Sequence, residues 1–171
     1  MKHAELMETA KLVSSNNKED IAKALSAAVS IETEGIKFYS HWAEKSKNEE
    51  TQKFFRFLVA QEEGHLEAIN ALKSSIETTG SWKISELPSS DYKVFAQKDW
   101  DKDEEQDLTA VLFALWKERE AREFYLEAAA NAVDPNAKKF FEALAEFEQD
   151  HADLLGEYVD ESFYSHELIM G

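Results

Sequence analysis

The chain has no cysteine. That excludes disulfides, zinc–thiolate and iron–sulfur sites and cysteine nucleophiles, and it suits a reducing compartment. Glycine and proline are scarce, 5 and 2 among 171 residues, so long uninterrupted helices are expected. Basic residues number 19 against 35 acidic ones, for a net charge of −16. Such a surface disfavours nucleic acid and anionic membranes as partners. No apolar run approaches the length of a membrane span, and Met1-Lys2-His3-Ala4-Glu5-Leu6 lacks the apolar core of a signal peptide. A cytoplasmic location is the expectation. The 43% apolar content suits one domain over residues 1–171, long enough to bury a core without staples.

What the chain does contain is one pattern written twice. Glu32, Phe38-Tyr39, Lys53-Phe54-Phe55 and Glu62-x-x-His65 return 86 positions later as Glu118, Phe124-Tyr125, Lys139-Phe140-Phe141 and Glu148-x-x-His151. A duplicated structural unit would keep its apolar residues. This one also keeps four glutamates and two histidines at matching offsets.

Start signals divide the chain into helices. Asn17 precedes Lys18-Glu19-Asp20, Asn48 precedes Glu49-Glu50, Asp103 has Gln106 three residues on, and Asp134 precedes Pro135. They predict helix A over 18–46, B over 49–78, C over 104–132 and D over 135–163. A–B and C–D are joined by tight turns, so each half is an antiparallel hairpin. The stretch 79–103, with Gly80, Pro88 and Ser89-Ser90, is a crossover along the bundle. Trp82, Tyr92, Phe95 and Trp100 would pin it to the helices; a lid or a dimer contact is the alternative. Residues 4–15 form a short preceding helix of no readable role.

Depth and facing both bring the repeated glutamates together. They lie 15, 14, 15 and 14 residues past their caps, about 21–23 Å into each helix at 1.5 Å per residue. Tyr39 and Tyr125 follow their glutamates by seven. Phe55 and Leu58 precede Glu62 by seven and four, as Phe141 and Leu144 precede Glu148. Each glutamate therefore interrupts an apolar stripe that faces the core. His65 and His151 lie one turn further along the same faces.

Four ionised carboxylates in a bundle interior would each cost several kcal/mol uncompensated. Two divalent cations cancel that charge. Oxygen ligands with one imidazole per ion favour iron, with manganese as an alternative, over thiol-seeking metals. Glu32, Glu62, His65, Glu118, Glu148 and His151 match the ligand set of di-iron carboxylate bundles. The competing account, coincident surface glutamates, is weakened because only these two of five histidines share the spacing and both fall in the repeat. Glu34 and Glu120, also repeated, lie some 200° from the ligand stripe and are expected in solvent. His41 falls on the opposite face, and His3 and His166 near the ends have no evident partners. Tyr39 and Tyr125 are core aromatics, whose hydroxyls are candidates also to hydrogen-bond a ligand carboxylate across the bundle.

Over about residues 18–163 these motifs resemble the rubrerythrin branch of the ferritin-like superfamily. The resemblance implies an all-α, ferritin-like four-helix bundle of two antiparallel hairpins joined by a long crossover. It implies two iron ions held by the six residues named, with Tyr39 and Tyr125 as near-site tyrosines. It also implies reduction of hydrogen peroxide, or oxidation of ferrous iron by oxygen or peroxide. Glu62 and Glu148 are then the candidate bridging ligands, Glu32 and Glu118 the terminal ones, and Tyr39 or Tyr125 the proton donor. Metal binding or iron storage without catalysis is the alternative function.

Two departures qualify the resemblance. Typical rubrerythrins have a further glutamate ligand one turn after the helix C ligand, where this chain has Ala121, matched in helix A by Gly35. The resemblance therefore implies neither their redox-linked iron movement nor their efficient peroxidase turnover for this chain. The small side chains leave room for an oxygen species beside the metals. Typical rubrerythrins also bear a four-cysteine rubredoxin domain. This cysteine-free chain would draw electrons from a separate donor protein or from the iron being oxidised. A homodimer through an exposed apolar strip is a further expectation.

Overall fold

The computed structural model describes residues 2–15, 17–83 and 105–170, with backbone alone at 105–106 and 161–170. Five helices follow in order: α1 His3–Ala10, α2 Lys18–Lys45, α3 Glu49–Thr79, α4 Glu105–Asn131 and α5 Pro135–Met170. A 3-10 turn, Lys11–Ser14, follows α1. No strand occurs among the described residues. The four expected long helices are present, and α5 runs to Met170 instead of ending near 163. Its last stretch contains neither glycine nor proline to stop it. Most of the expected crossover, with Tyr92, Phe95 and Trp100, lies outside the described residues, as do the Asp103 cap and the His166 side chain.

The helix starts have the capping chemistry their sequences imply. Asn17 Oδ1 accepts from the Glu19 amide, and Asn48 Oδ1 from the amides of Glu50 and Thr51. Asp134 Oδ1 accepts from the amides of Asn136 and Ala137, with Pro135 at the first helical position. Gly80, at φ +69°, closes α3 in a left-handed conformation that side chains disfavour.

Helices α2 and α3 pack as one hairpin and α4 and α5 as the other. Their apolar faces form two buried clusters. One contains Leu25, Ile69, Leu72, Phe124, Tyr125, Phe141 and Leu144. The other contains Tyr39, Phe55, Leu58, Val111, Leu154 and Tyr158. Along every long helix the repeated glutamates and histidines fall between these clusters. The repeat persists in ring geometry: Tyr39 stacks on Phe55 at 5.9 Å and 23°, and Tyr125 on Phe141 at 6.3 Å and 20°. Trp82 packs against the first cluster and meets the Phe141 ring edge-on at 6.2 Å, as expected of a crossover anchor. No helix among the described residues is long and apolar enough to cross a membrane.

The N-terminal segment has a legible place after all. Leu6, Ala10 and Val13 are buried in the first cluster, so α1 and its 3-10 turn lie across α2 and α4. Their spacing of four and three is an apolar helical stripe, but only a partner groove gives it a role.

Candidate metal centre

Each hairpin delivers one glutamate from its first helix and a Glu-x-x-His pair from its second. All six residues are between 0 and 4% exposed. They form two overlapping groups, Glu32–Glu62–His65–Glu148 and Glu62–Glu118–Glu148–His151, with potential ligand atoms inside 4.8 Å of one another. Glu62 and Glu148 belong to both groups; Glu32 and Glu118 belong to one each.

Distances repeat the two-fold pattern. His65 Nδ1 lies 3.4 Å from Glu32 Oε2, 3.7 Å from Glu62 Oε2 and 3.5 Å from Glu148 Oε1. His151 Nδ1 lies 3.7 Å from Glu118 Oε2, 3.4 Å from Glu148 Oε2 and 3.2 Å from Glu62 Oε1. The two imidazoles face each other at 5.4 Å and 24°.

The tyrosines cross between hairpins. Tyr39 of α2 donates its phenol proton to Glu118 Oε1, and Tyr125 of α4 donates to Glu32 Oε1. Both tyrosines are buried core aromatics and also donate to a repeated carboxylate. Each such glutamate thus has one oxygen held by the opposite hairpin and the other turned toward a histidine.

Burial and the neighbouring charges shift the groups of this cluster in opposite directions. Burial, reinforced by the charges of Glu62 and Glu148, pushes Glu32 well above the usual carboxylate range. Burial and the charge of Glu148 do the same to Glu118. Burial also opposes ionisation of Glu62 and Glu148. There, interaction with the adjacent Glu32 or Glu118 carboxyl and with both imidazoles outweighs it, and both are lowered. Burial likewise opposes charge on His65 and His151, but the surrounding carboxylates win and raise both well above the ordinary imidazole value. Burial, then the charge of Glu32, raises the Tyr125 phenol, so it stays a donor.

The donor set itself tests the fit to metal. Glu32 Oε2, Glu62 Oε1, both oxygens of Glu148, His65 Nδ1 and both ring nitrogens of His151 are buried with no hydrogen-bond partner. Buried polar atoms are seldom left so, because each costs about 1–3 kcal/mol. Six of these atoms, all but His151 Nε2 on the other side of its ring, converge on one place and are the donor set a hard or borderline divalent cation takes.

A cavity of about 160 Å³ opens beside the cluster, between α2 and α4. Glu62, Glu118, Glu148 and Tyr39 face it from within, and Gly35 and Ala121 form its narrow walls. These two are repeat partners. A Cβ on Gly35 would lie 3.5–3.6 Å from the Glu62 side chain, so glycine leaves that volume empty. Phe113, 48% exposed, and Lys117 stand at the opening. Lys117 Nζ reaches 3.4 Å from Glu34 Oε2 on α2 and 3.5 Å from Glu120 Oε2. Neither Phe113 nor Lys117 is conspicuous in the sequence. The available signal is a break in the repeat: Ala27 answers Phe113 and Ile31 answers Lys117.

Glu34 is exposed as expected, and so is His41. Glu120 is not: its side chain is 14% exposed, because α1 lies over it and brings His3 Nδ1 to 3.6 Å. His3 therefore has partners, the second being Glu123, with Nε2 3.6 Å from its Oε2. Both differences come from a helix–helix contact that no local pattern reveals.

Four long helices, an interior carboxylate–histidine cluster and two-fold repetition define the class: a ferritin-like carboxylate bundle. The model of the rubrerythrin family matches residues 23–159, and the chain belongs to that family. No curated protein and no solved structure shows a significant match to it.

Proposed function

We propose that the protein is a di-iron carboxylate oxidoreductase of rubrerythrin type, reducing hydrogen peroxide or oxidising ferrous iron. The observation that carries this is the pair of buried donor groups sharing Glu62 and Glu148. Sharing suits those two glutamates to bridge, with Glu32 and His65 completing one position and Glu118 and His151 the other. Manganese fits the same oxygen-rich donors.

When bound, two ferrous ions would supply Lewis acidity and the two electrons that O–O cleavage consumes. The chain supplies the rest. Glu32 and Glu118 are held by cross-hairpin phenols, which fixes their orientation. Two apolar clusters exclude water from either end. Tyr39 lines the cavity and is the proton donor favoured over Tyr125, which does not line it. Further electrons would come from a donor protein or from the iron being oxidised.

Elemental analysis of chelator-free protein, then anaerobic iron titration and addition of peroxide followed optically, tests the reading. Two equivalents of iron and repeated turnover with an added reductant are expected. A single stoichiometric oxidation would favour storage, and protein that takes up no metal would overturn both.

A further inference from the structure

The cavity is larger than hydrogen peroxide requires. A water molecule's share of the liquid is about 30 Å³, and hydrogen peroxide needs little more. The cavity holds about 160 Å³, close to the roughly 150 Å³ apolar cavity that accommodates benzene in another protein. Its chemistry is divided. Away from the buried carboxylates it is walled by Ile31, Gly35, Phe38, Phe113 and Ala121, with the Glu34–Lys117 ion pair also lining it; toward the cluster it meets acids and a phenol. Glu62, Glu118 and Glu148 border it, so the metal pair of the reading above would lie at its inner end. Such a space suits a molecule with a small apolar body and one oxygen-rich end.

Resting on the peroxide reading above, we propose that this cavity selects organic hydroperoxides carrying a compact alkyl group of about four carbons. The alkyl group packs against Phe38, Phe113 and Ala121, and the O–O end lies against the carboxylates and Tyr39. The reaction breaks the O–O bond. One oxygen leaves as the alcohol and the other as water, two protons are taken up, and two ferrous ions held by the six residues would supply the two electrons, one each. The selecting feature is the missing side-chain volume at Gly35 and Ala121, repeat partners on facing helices. Filling it excludes the alkyl group before it excludes hydrogen peroxide.

The test uses the full chain and tert-butyl hydroperoxide. In metal-free protein, saturation-transfer NMR with tert-butanol detects occupancy, which should be lost in Ala121→Leu. In the iron-loaded protein, the rate ratio of tert-butyl hydroperoxide to hydrogen peroxide should fall about tenfold in the same variant, as expected for excluding a few methyl groups. Should Ala121→Leu misfold, Phe113→Ala at the opening should lower the same ratio and the tert-butanol signal. Consumption of hydrogen peroxide but not of tert-butyl hydroperoxide overturns this inference and leaves the peroxide reading standing. So does an unchanged ratio in a folded variant, or no tert-butanol signal in the parent. Reaction with neither peroxide by iron-loaded protein overturns both.

Discussion

Hairpins α2–α3 and α4–α5 bring the same groups to the centre: a glutamate, a tyrosine and a Glu-x-x-His pair apiece. Their outward positions have diverged. Ala27 corresponds to Phe113 and Ile31 to Lys117, while half-buried Phe38 corresponds to Phe124, which is fully buried in the same cluster as Leu6. One flank of the α2–α4 groove is roofed by α1, where a void of only about 60 Å³ remains beside Leu6. The other flank opens as the 160 Å³ cavity. The interior is constrained by charge: each buried acid is within a few ångströms of a histidine and another acid, so losing one leaves its neighbours uncompensated. Outer positions answer only to packing, and they are where the two halves could become a closed side and an open side.

The strongest way to break the comparison is at the centre. Glu62→Ala and Glu148→Ala each remove a donor from both groups, so either should abolish stoichiometric binding of the second metal. Either should also lower the melting temperature of the loaded protein. Glu32→Ala and Glu118→Ala touch one group each, and should leave about one equivalent bound. Unchanged metal content in both Glu62→Ala and Glu148→Ala would contradict the ligand assignment; unequal losses between repeat partners would show that the two-fold symmetry is only geometric.

The roofed flank comes next. Leu6 is 7% exposed in the first cluster, and Leu6→Ala should cost about 2–4 kcal/mol in chemical denaturation. Phe113→Ala, on the open flank, should cost less than about 1 kcal/mol. A cost below that for Leu6→Ala would mean that α1 contributes little to closing the groove.

The finest comparison sets the tyrosines against each other. Tyr39→Phe and Tyr125→Phe each take the donor from one buried glutamate oxygen, so each should cost about 1–3 kcal/mol in metal-free protein. Their effects on peroxide reduction should differ, because only Tyr39 lines the cavity. A larger rate loss for Tyr39→Phe is expected in single-turnover kinetics. Equal losses would remove Tyr39 from proton delivery.

Much of the centre was legible in the chain because duplication repeated chemistry along with shape. A lone Glu-x-x-His on an acidic helix carries little information; two at the same offset from two caps mark a common depth. The α1 roof was not legible. Leu6, Ala10 and Val13 form an apolar stripe, but the groove they cover is made by α2 and α4 together. Glu120 was assigned to solvent by its angle from Glu118, which holds for a helix exposed on that side and fails where another helix crosses it. The opening at Phe113 and Lys117 was hidden for the same reason, since a gap belongs to two helices and to neither sequence segment alone.

From the sequence come the six inward-facing donors, their shared level and the hairpin partition, because helical rise, helical period and capping are properties of neighbouring residues. Tertiary packing alone decided that Tyr39 holds Glu118 and Tyr125 holds Glu32, and that one flank is roofed while the other opens. Those outcomes depend on how separate helices approach one another, and such distances are set by the filling of space between them rather than by any period within one.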